Sequence, residues 1–405
     1  MMKPPPDPVA AVTHPDPYAW YAELARTQPL AWNPDLGAWV AAGAQAVEAV
    51  LASTHCRVRP PAEPVPRAIA GTAAGEAFAQ WARMNDGAAH SARRPAIEAA
   101  LGTIDLASVS ERADAWTHEL WACGGWAGED GIALGFRLPV LVMAEMLGVP
   151  AEHLDDAVRW TGDLVRGIAP GATPGQTALA VDAAPRLTSL VTAAHASGST
   201  PMRALWGDLA SGGCPVHAGP ANAVALLVQA HDAVAGLLGN ASVVLAEHPE
   251  VRAELESDPG RIAGFVREVL RLDPPLHNTR RWVAEDAVIA GQPVRAGDAI
   301  LVVLAAAEHD SSADDEDAPR FGSDRQDRPP FTFGRGIHAC PGSAIAVTIA
   351  QAAIAALLEM RVDFGALTMG HGYHPSINAR IPRFAASAGG VLASQATDFL
   401  SQEPA

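Results

Sequence analysis

The sequence predicts a mainly α protein with a small β-rich portion, and three observations carry that expectation. Apolar residues recur at helical spacing over most of the chain. Strand-like alternation is confined to short stretches near the two ends. Of 405 residues, 49% are hydrophobic and 18% charged, enough apolar material for a sizeable core and too little charge for a disordered chain.

The elements are expected in the following order. Residues 1–16 are proline-rich and read as a tail without the apolar segment of a signal peptide or anchor. Tyr18 to Arg26 reads as a short amphipathic helix, Leu36 to Ala41 and its surroundings as a strand pair, and Ala44 to Ala52 as a second helix. Arg59 to Thr72, dense in proline, is expected as a long surface loop. Helical patterning dominates from Trp81 to Ala210, broken at Pro150, Pro170 and the Gly/Ser stretches.

A long helix follows from about Ala221 and stops before Pro249, and the next carries Glu268-Val269-Leu270-Arg271 and ends at Asp273-Pro274-Pro275. Thr279 to Val303 alternates and carries turn residues, which predicts a small sheet. Glu308 to Asp317 is acidic and reads as a solvated loop. The last clear helix is expected over about Gly342 to Met360. No repeat or interdomain linker is evident, so 17–395 is expected to be one domain, with 396–405 a second tail.

Charge and cysteine usage narrow the function. A formal charge of −17 argues against a nucleic-acid or anionic-membrane binder, either of which needs a basic face. Cys56, Cys123, Cys214 and Cys340 are scattered without a CxxC pair, which fits a reducing cytoplasm better than a disulfide framework. The apolar stretch Ala221 to Ala246 is interrupted by Gln229, His231, Asp232 and Asn240, too polar for a lipid-facing span.

One stretch carries recognisable chemistry: Phe333-Gly334-Arg335-Gly336-Ile337-His338-Ala339-Cys340-Pro341-Gly342, immediately before a helix. Its glycines permit a tight turn and close approach to a flat ligand. Cys340 lies on the N-terminal side of that helix, where free N–H groups favour a thiolate. A lone cysteine is more often a core residue, but the full FGxGxHxCxG pattern outweighs that reading.

The stretch resembles the haem-binding loop of the cytochrome P-450 superfamily. Glu268 and Arg271 match that family's ExxR helix, and residues three apart share a helix face. Phe321 to Arg325 resembles the meander whose arginine completes a structural Glu-Arg-Arg cluster, with Arg325 the third member. His90 to Arg94 resembles HxxxR, and Arg281, five residues before Asp286, matches the arginine at the start of the small sheet. The resemblance implies haem b between the long central helix and the Cys-loop helix, with Cys340 as the axial iron ligand. It implies His90, Arg94, Arg281 and His338 as propionate partners, and Phe333, Gly334 and Gly342 as parts of the cofactor loop.

The sequence also departs from the family. Gln229-Ala230-His231-Asp232-Ala233-Val234 occupies the place of a small-Gly-x-acid-Thr signature. The acid is kept as Asp232, the alcohol is replaced by Ala233, and Gln229 stands where a small residue is usual. These three are the candidate catalytic positions. His231, expected to point partly away from the haem, reads as packing or second-layer support. After Cys340, Ile345-Ala346-Val347 lacks the family's usual arginine.

The resemblance implies a soluble cytoplasmic monooxygenase, monomeric, that uses dioxygen and electrons from ferredoxin and ferredoxin reductase. It would oxidise a small or medium organic substrate, in natural-product biosynthesis. The altered central segment leaves room for a haem-thiolate enzyme that uses peroxide, nitric oxide or a nitrogen-containing substrate. A catalytically silent haem sensor is the third possibility.

Overall fold

Residues 3–127, 133–310 and 329–384 are described by a computed structural model. The first half contains α1 (Tyr18–Thr27), β1 (Leu30–Asn33), β2 (Ala38–Ala41), α2 (Ala44–Ala52), β3 (Cys56–Arg57), α3 (Ala73–Gln80), α4 (Gly87–Gly102), α5 (Leu106–Ala122), α6 (Leu134–Met146), α7 (Leu154–Ile168) and α8 (Pro174–Ala196). The second half contains α9 (Thr200–Ser211), α10 (Ala218–Glu247), α11 (Pro249–Ser257), α12 (Ile262–Leu272), β4 (Thr279–Val283), β5 (Ala287–Ile289), β6 (Gln292–Val294) and β7 (Ala299–Val302). It closes with α13 (Leu304–Glu308), α14 (Ser343–Glu359), α15 (Phe364–Thr368), β8 (Gly372–Tyr373) and β9 (Pro382–Arg383). Helices outweigh strands, as the periodicity predicts.

The 30-residue helix α10 is the axis of the molecule, packing against α6, α7, α8, α12, α14 and α15. A helix enclosed on most sides must be apolar nearly all round, which explains its composition. It is long and apolar enough to cross a membrane, yet 72% of its apolar window is buried in protein, as in a core helix. Two glycines let the chain close on it. A Cβ at Gly236 would lie 2.7 Å from the Arg380 carbonyl oxygen, and one at Gly239 2.7 Å from Pro382 Cδ. The β8–β9 hairpin can therefore lie against α10 only because these positions lack side chains.

The main sheet runs in the order β1-β2-β7-β4-β3. β2 and β7 are parallel, and the other pairs are antiparallel. Alternation along β7 divides the two faces. Ile300 and Val302 join the cluster under α2, while Leu301 and Val303 pack with Tyr21 and Ala25 of α1. On β4 the same alternation buries Arg281 and Val283.

Three expectations need correction. Residues 1–16 are not a loose tail where described: Ala10–Thr13 form a 3-10 turn, and Ala11 and Val12 are fully buried. Their carbonyl neighbours are claimed by a distant arginine, which composition alone does not reveal. The acidic loop is not solvated from its first residue. Glu308 ends α13 buried and accepts from the Phe331 N–H, and buried Asp310 accepts from the Ala44 N–H at 2.8 Å, capping α2. Its residues 311–317 lie outside the described residues, as do Phe321 to Arg325 and the expected tail 396–405. Thirdly, the loop from Arg59 to Thr72 contains a 3-10 turn, Arg67–Ile69, anchored by fully buried Ile69.

That distant arginine is Arg380. It donates to Asp273 Oδ1 at 2.9 Å and to the carbonyls of Val12, His14 and Pro15 at 3.1, 2.7 and 3.0 Å, and its guanidinium lies 3.8 Å from the Tyr373 ring centroid. Tyr18 donates to the same Asp273 carboxylate and stacks on His309 at 4.7 Å, and Tyr21 hydroxyl meets His277 Nδ1 at 2.9 Å. All three tyrosines of the chain thus converge on one buried network. Burial works against the Arg380 charge, but Tyr18, Asp273 and Tyr373 hold it protonated.

Replacing Arg380 with alanine leaves a buried carboxylate and three carbonyls without their donor. Arg380→Ala is expected to cost about 3–5 kcal/mol, read by denaturant unfolding. The histidines of this network give a pH signature. Burial, with Arg380 and His309, drives His277 well below its usual 6.5. His309 falls to about 4 through burial and Arg271, against the opposing bond to the Leu272 carbonyl. The folded state then binds fewer protons than the unfolded one, so stability rises with pH between about 4 and 6.5 and is lost as pH falls through that window. For His309 alone the loss is about 3 kcal/mol. His309→Gln keeps a donor for Leu272 and should flatten the slope of unfolding free energy against pH across that range.

Candidate functional site

The cysteine loop is closed by its own backbone. The Cys340 N–H donates to the Phe333 carbonyl at 2.8 Å, and Ala339 N–H to that of Gly336 at 3.0 Å. Gly334 and Gly336 take φ of 68° and 67°, a region that suits glycine, and a Cβ at Gly336 would meet the Leu51 carbonyl at 3.1 Å. Arg335 braces the entry to the loop, donating to the carbonyls of Pro330 and Gly334 at 3.0 and 2.9 Å with its guanidinium 4.3 Å over Phe331. Arg94 braces the exit, donating to the Ala339 carbonyl and to Glu98, each at 2.7 Å.

Cys340 therefore sits just ahead of α14, which begins at Ser343 with Gly342 as its N-cap. Burial pushes its thiol up from the usual value, while the Gly342 N–H and the charges of Arg83 and Arg94 pull it down. Burial wins. The helix end that the sequence suggested as a source of thiolate is thus insufficient alone, and a bound metal cation would complete the deprotonation. Cys340 and Arg83 both carry open side-chain surface, yet burial is the largest influence on each. That combination describes an inward cleft rather than an outer surface.

The walls of the cleft are cationic. Buried Arg281 donates to the Arg280 carbonyl at 2.9 Å, and among the described residues it has no carboxylate partner. Burial, then the nearby Arg83 charge, lowers it to about 10 against the opposing influence of Asp86 and Cys56. Arg83 likewise has no carboxylate partner among the described residues, and burial lowers it while Cys340 works the other way. Two guanidiniums that repel each other beside a soft thiol fit a ligand that brings carboxylates and an electron-poor metal.

His90 and His338 are brought together, with ring centroids 4.4 Å apart. His338 Nε2, however, lies 3.0 Å from Asp86 Oδ1, in a pair nearly closed to solvent. Burial works to raise the Asp86 carboxyl, but bonds from His338 and the Val58 N–H and the charges of His338 and Arg57 bring it below its usual value. His90 is lowered by burial, His338 and Arg94. His338 thus already has a carboxylate partner, which the sequence did not anticipate. Arg83 and Asp86 were missed although both lie just ahead of His90; the only signal was charge in the segment leading into α4.

The ExxR pair is formed, Arg271 to Glu268 at 2.8 Å with side chains 14% and 12% exposed. Its expected third member, Arg325, lies outside the described residues. On α10 the expected face is partly open. Gln229, Ala230, Asp232 and Ala233 retain surface on an otherwise closed helix. Gln229 turns its amide N–H onto the Ala225 carbonyl at 2.9 Å, so the helix itself satisfies it. Asp232 is paired with its neighbour His231 at 2.7 Å.

The comparisons follow this geometry. The family model described as Cytochrome P450 matches residues 262–360, which contain the ExxR pair and the cysteine loop. Cytochrome P450 107B1 of Saccharopolyspora erythraea is 32% identical over 231 residues, 56% of this chain and 56% of that one. The match thus spans a little over half the length of that relative. Erythromycin C-12 hydroxylase of the same organism is 29% identical over 367 residues, 86% of this chain and 87% of its own. The crystal structure of CalO2 superposes with a TM-score of 0.79 at 23% identity, covering 95% of this chain and 99% of that one. P450BioI in complex with an acyl carrier protein gives 0.77 at 23% identity, covering 91% and 97%. The fold is that of these solved structures, and residues 262–360, with the ExxR pair and the glycine-bent cysteine loop, match the cytochrome P450 family, whose cofactor is haem b held by a cysteine thiolate.

Proposed function

We propose that this protein is a haem-thiolate monooxygenase in which Cys340 is the axial ligand of haem b. The observation that carries the reading is the Cys340 thiol, presented by a closed loop in a cleft whose arginines Arg83 and Arg281 have no carboxylate partner among the described residues. When bound, the haem supplies the activation of dioxygen with two electrons. The chain's own residues hold and shield it. Cys340 would ligate the iron, Arg83 and Arg281 would meet the propionates, and Phe333, Gly334 and Gly342 would shape the cofactor loop. Arg94, His90 and His338 are proposed beside the propionates, with Arg94 also holding the Ala339 carbonyl.

On the opposite side Asp232 is the proposed proton-carrying group, Gln229 offers its side-chain carbonyl to a substrate, and Ala233 leaves the space where the family has an alcohol. Electrons would come from a ferredoxin and its reductase. A soluble, monomeric, cytoplasmic protein with one catalytic domain over 17–395 is the setting we propose. The erythromycin hydroxylase among the relatives supports an organic substrate of small or medium size in natural-product biosynthesis. Ala233 favours a second reading, turnover with peroxide, nitric oxide or a nitrogen-containing substrate. Reconstitution separates the two: strict dependence on ferredoxin and reductase supports the first, and turnover without them the second.

The reduced carbon-monoxide complex should show the long-wavelength band for which the family is named, and Cys340→Ser should abolish it, because a neutral hydroxyl is a hard, weak donor to haem iron. A wild-type band at the position typical of histidine ligation overturns the reading. Arg281→Ala and Arg83→Ala should each weaken haem retention by about 1.5–3 kcal/mol, measured as haem transfer to apomyoglobin. Unchanged transfer in both would remove these arginines from the haem site.

A further inference from the structure

The function proposed above uses Asp232 but not the residues that hold it. His231 is 5% exposed, and its Nδ1 lies 2.7 Å from Asp232 Oδ1. Its ring is stacked on Phe136 of α6, with centroids 4.8 Å apart and planes 26° apart, so the imidazole is clamped. Near its Nε2, α7 has a glycine: a Cβ at Gly162 would lie 3.5 Å from His231 Nε2 and 3.1 Å from Arg166 Nη1. The same Phe136 ring receives His374 edge-on, at 5.2 Å and 79°, from the segment joining β8 to β9. The Asp232 side chain is 40% exposed, the open member of a group whose other members are packed.

We propose that His231 is the positioning residue of the pocket acid, fixing through Nδ1 the direction in which the Asp232 carboxylate faces. This rests on the reading that Asp232 lines the haem pocket. A carboxylate on a helix face with nothing to hold it samples several rotamers, and pairing it with a clamped ring removes that freedom. Ala233 has no hydroxyl with which to hold a proton donor, so orientation of the acid falls to its other neighbour in the chain.

The groups that face this pair are few. α10 supplies Asp232 itself, α6 the uncharged Phe136, and α7 the Arg166–Asp163 pair, bonded at 2.8 Å beyond Gly162. The hairpin supplies His374 and Arg383. Burial and Arg383 lower His374, and Asp232 raises it. The titration of His374 therefore reports where the Asp232 carboxylate is, independently of turnover.

The test uses the haem-loaded protein and three substitutions. His231→Phe keeps the stack on Phe136 and removes both nitrogens. His231→Asn keeps an N–H donor for Asp232. Asp232→Asn removes the acid. In the diamagnetic carbon-monoxide form, the His374 midpoint measured by NMR should shift by about 0.3 unit or more in His231→Phe, stay near wild type in His231→Asn, and fall in Asp232→Asn. With a surrogate plant ferredoxin, its reductase and NADPH, the ratio of water to hydrogen peroxide formed should drop roughly fivefold in His231→Phe. In His231→Asn it should return to within about twofold of wild type.

If Asp232→Asn changes both readouts and His231→Phe changes neither, the proposal is overturned while the role of Asp232 stands. If Asp232→Asn leaves the water-to-peroxide ratio unchanged, the pocket acid itself is misassigned and the proposal falls with it. Should His231→Phe lose the carbon-monoxide band, a further variant, His231→Leu, takes its place: an unchanged His374 midpoint and water-to-peroxide ratio in it overturn the proposal, and a change in both supports it.

Discussion

Arg83 and Arg281 stand in one partly desolvated cleft, each acting on the charge of the other, with no carboxylate partner for either among the described residues. Such an arrangement is unfavourable by itself, because a buried charge without a partner is costly. It persists because three separate parts of the fold impose it. The register of β4 between β3 and β7 turns Arg281 inward. The segment ahead of α4 carries Arg83. The loop ahead of α14, folded on glycines at positive φ, brings Cys340 beside Arg83. Haem, the ligand proposed above, would relieve that cost, with Arg83 and Arg281 there to meet its propionates and Cys340 its iron.

The same logic explains why the rest of the molecule is so firmly tied. Two arginines that repel each other in one cleft have to be resisted by packing elsewhere, and α10 provides it as an axis packed against α3, α6, α7, α8, α9, α11, α12, α14 and α15. Arg380 then fastens the N-terminal segment, the end of α12 and the β8–β9 hairpin into one buried network with all three tyrosines. The hairpin lies close enough to α10 to bring His374 beside the His231–Asp232 pair only because Gly236 and Gly239 leave room. Stability and site geometry therefore share the same contacts.

Much of this was legible in the sequence, and unevenly so. The periodicity of Ala221 to Ala246 and the proline after it predicted α10 to within a few residues, because a long apolar repeat followed by a breaker is a local signal. The FGxGxHxCxG stretch was legible for the same reason: turn, donor and thiol lie within ten residues. The role of the first 16 residues was not, since their packing depends on Arg380, more than 360 residues away. Glu308 and Asp310 misled for a related reason. In a run of acidic residues nothing local distinguishes a helix cap from a solvated side chain.

What the sequence by itself determined is the chemistry available: one cysteine in a glycine-bent loop, an ExxR helix, an acid on the central helix without its usual alcohol. Short-range physics fixes these, because the groups involved lie within a turn or two of one another. What only the tertiary structure decided is which charges face which. It set His338 against Asp86, left Arg83 beside Arg281, and stacked His231 on Phe136 with Gly162 near its Nε2. Those pairings join elements far apart in the chain. Whether a charge is paired or left open depends on the distances and burial that packing sets, and no local pattern of residues encodes either.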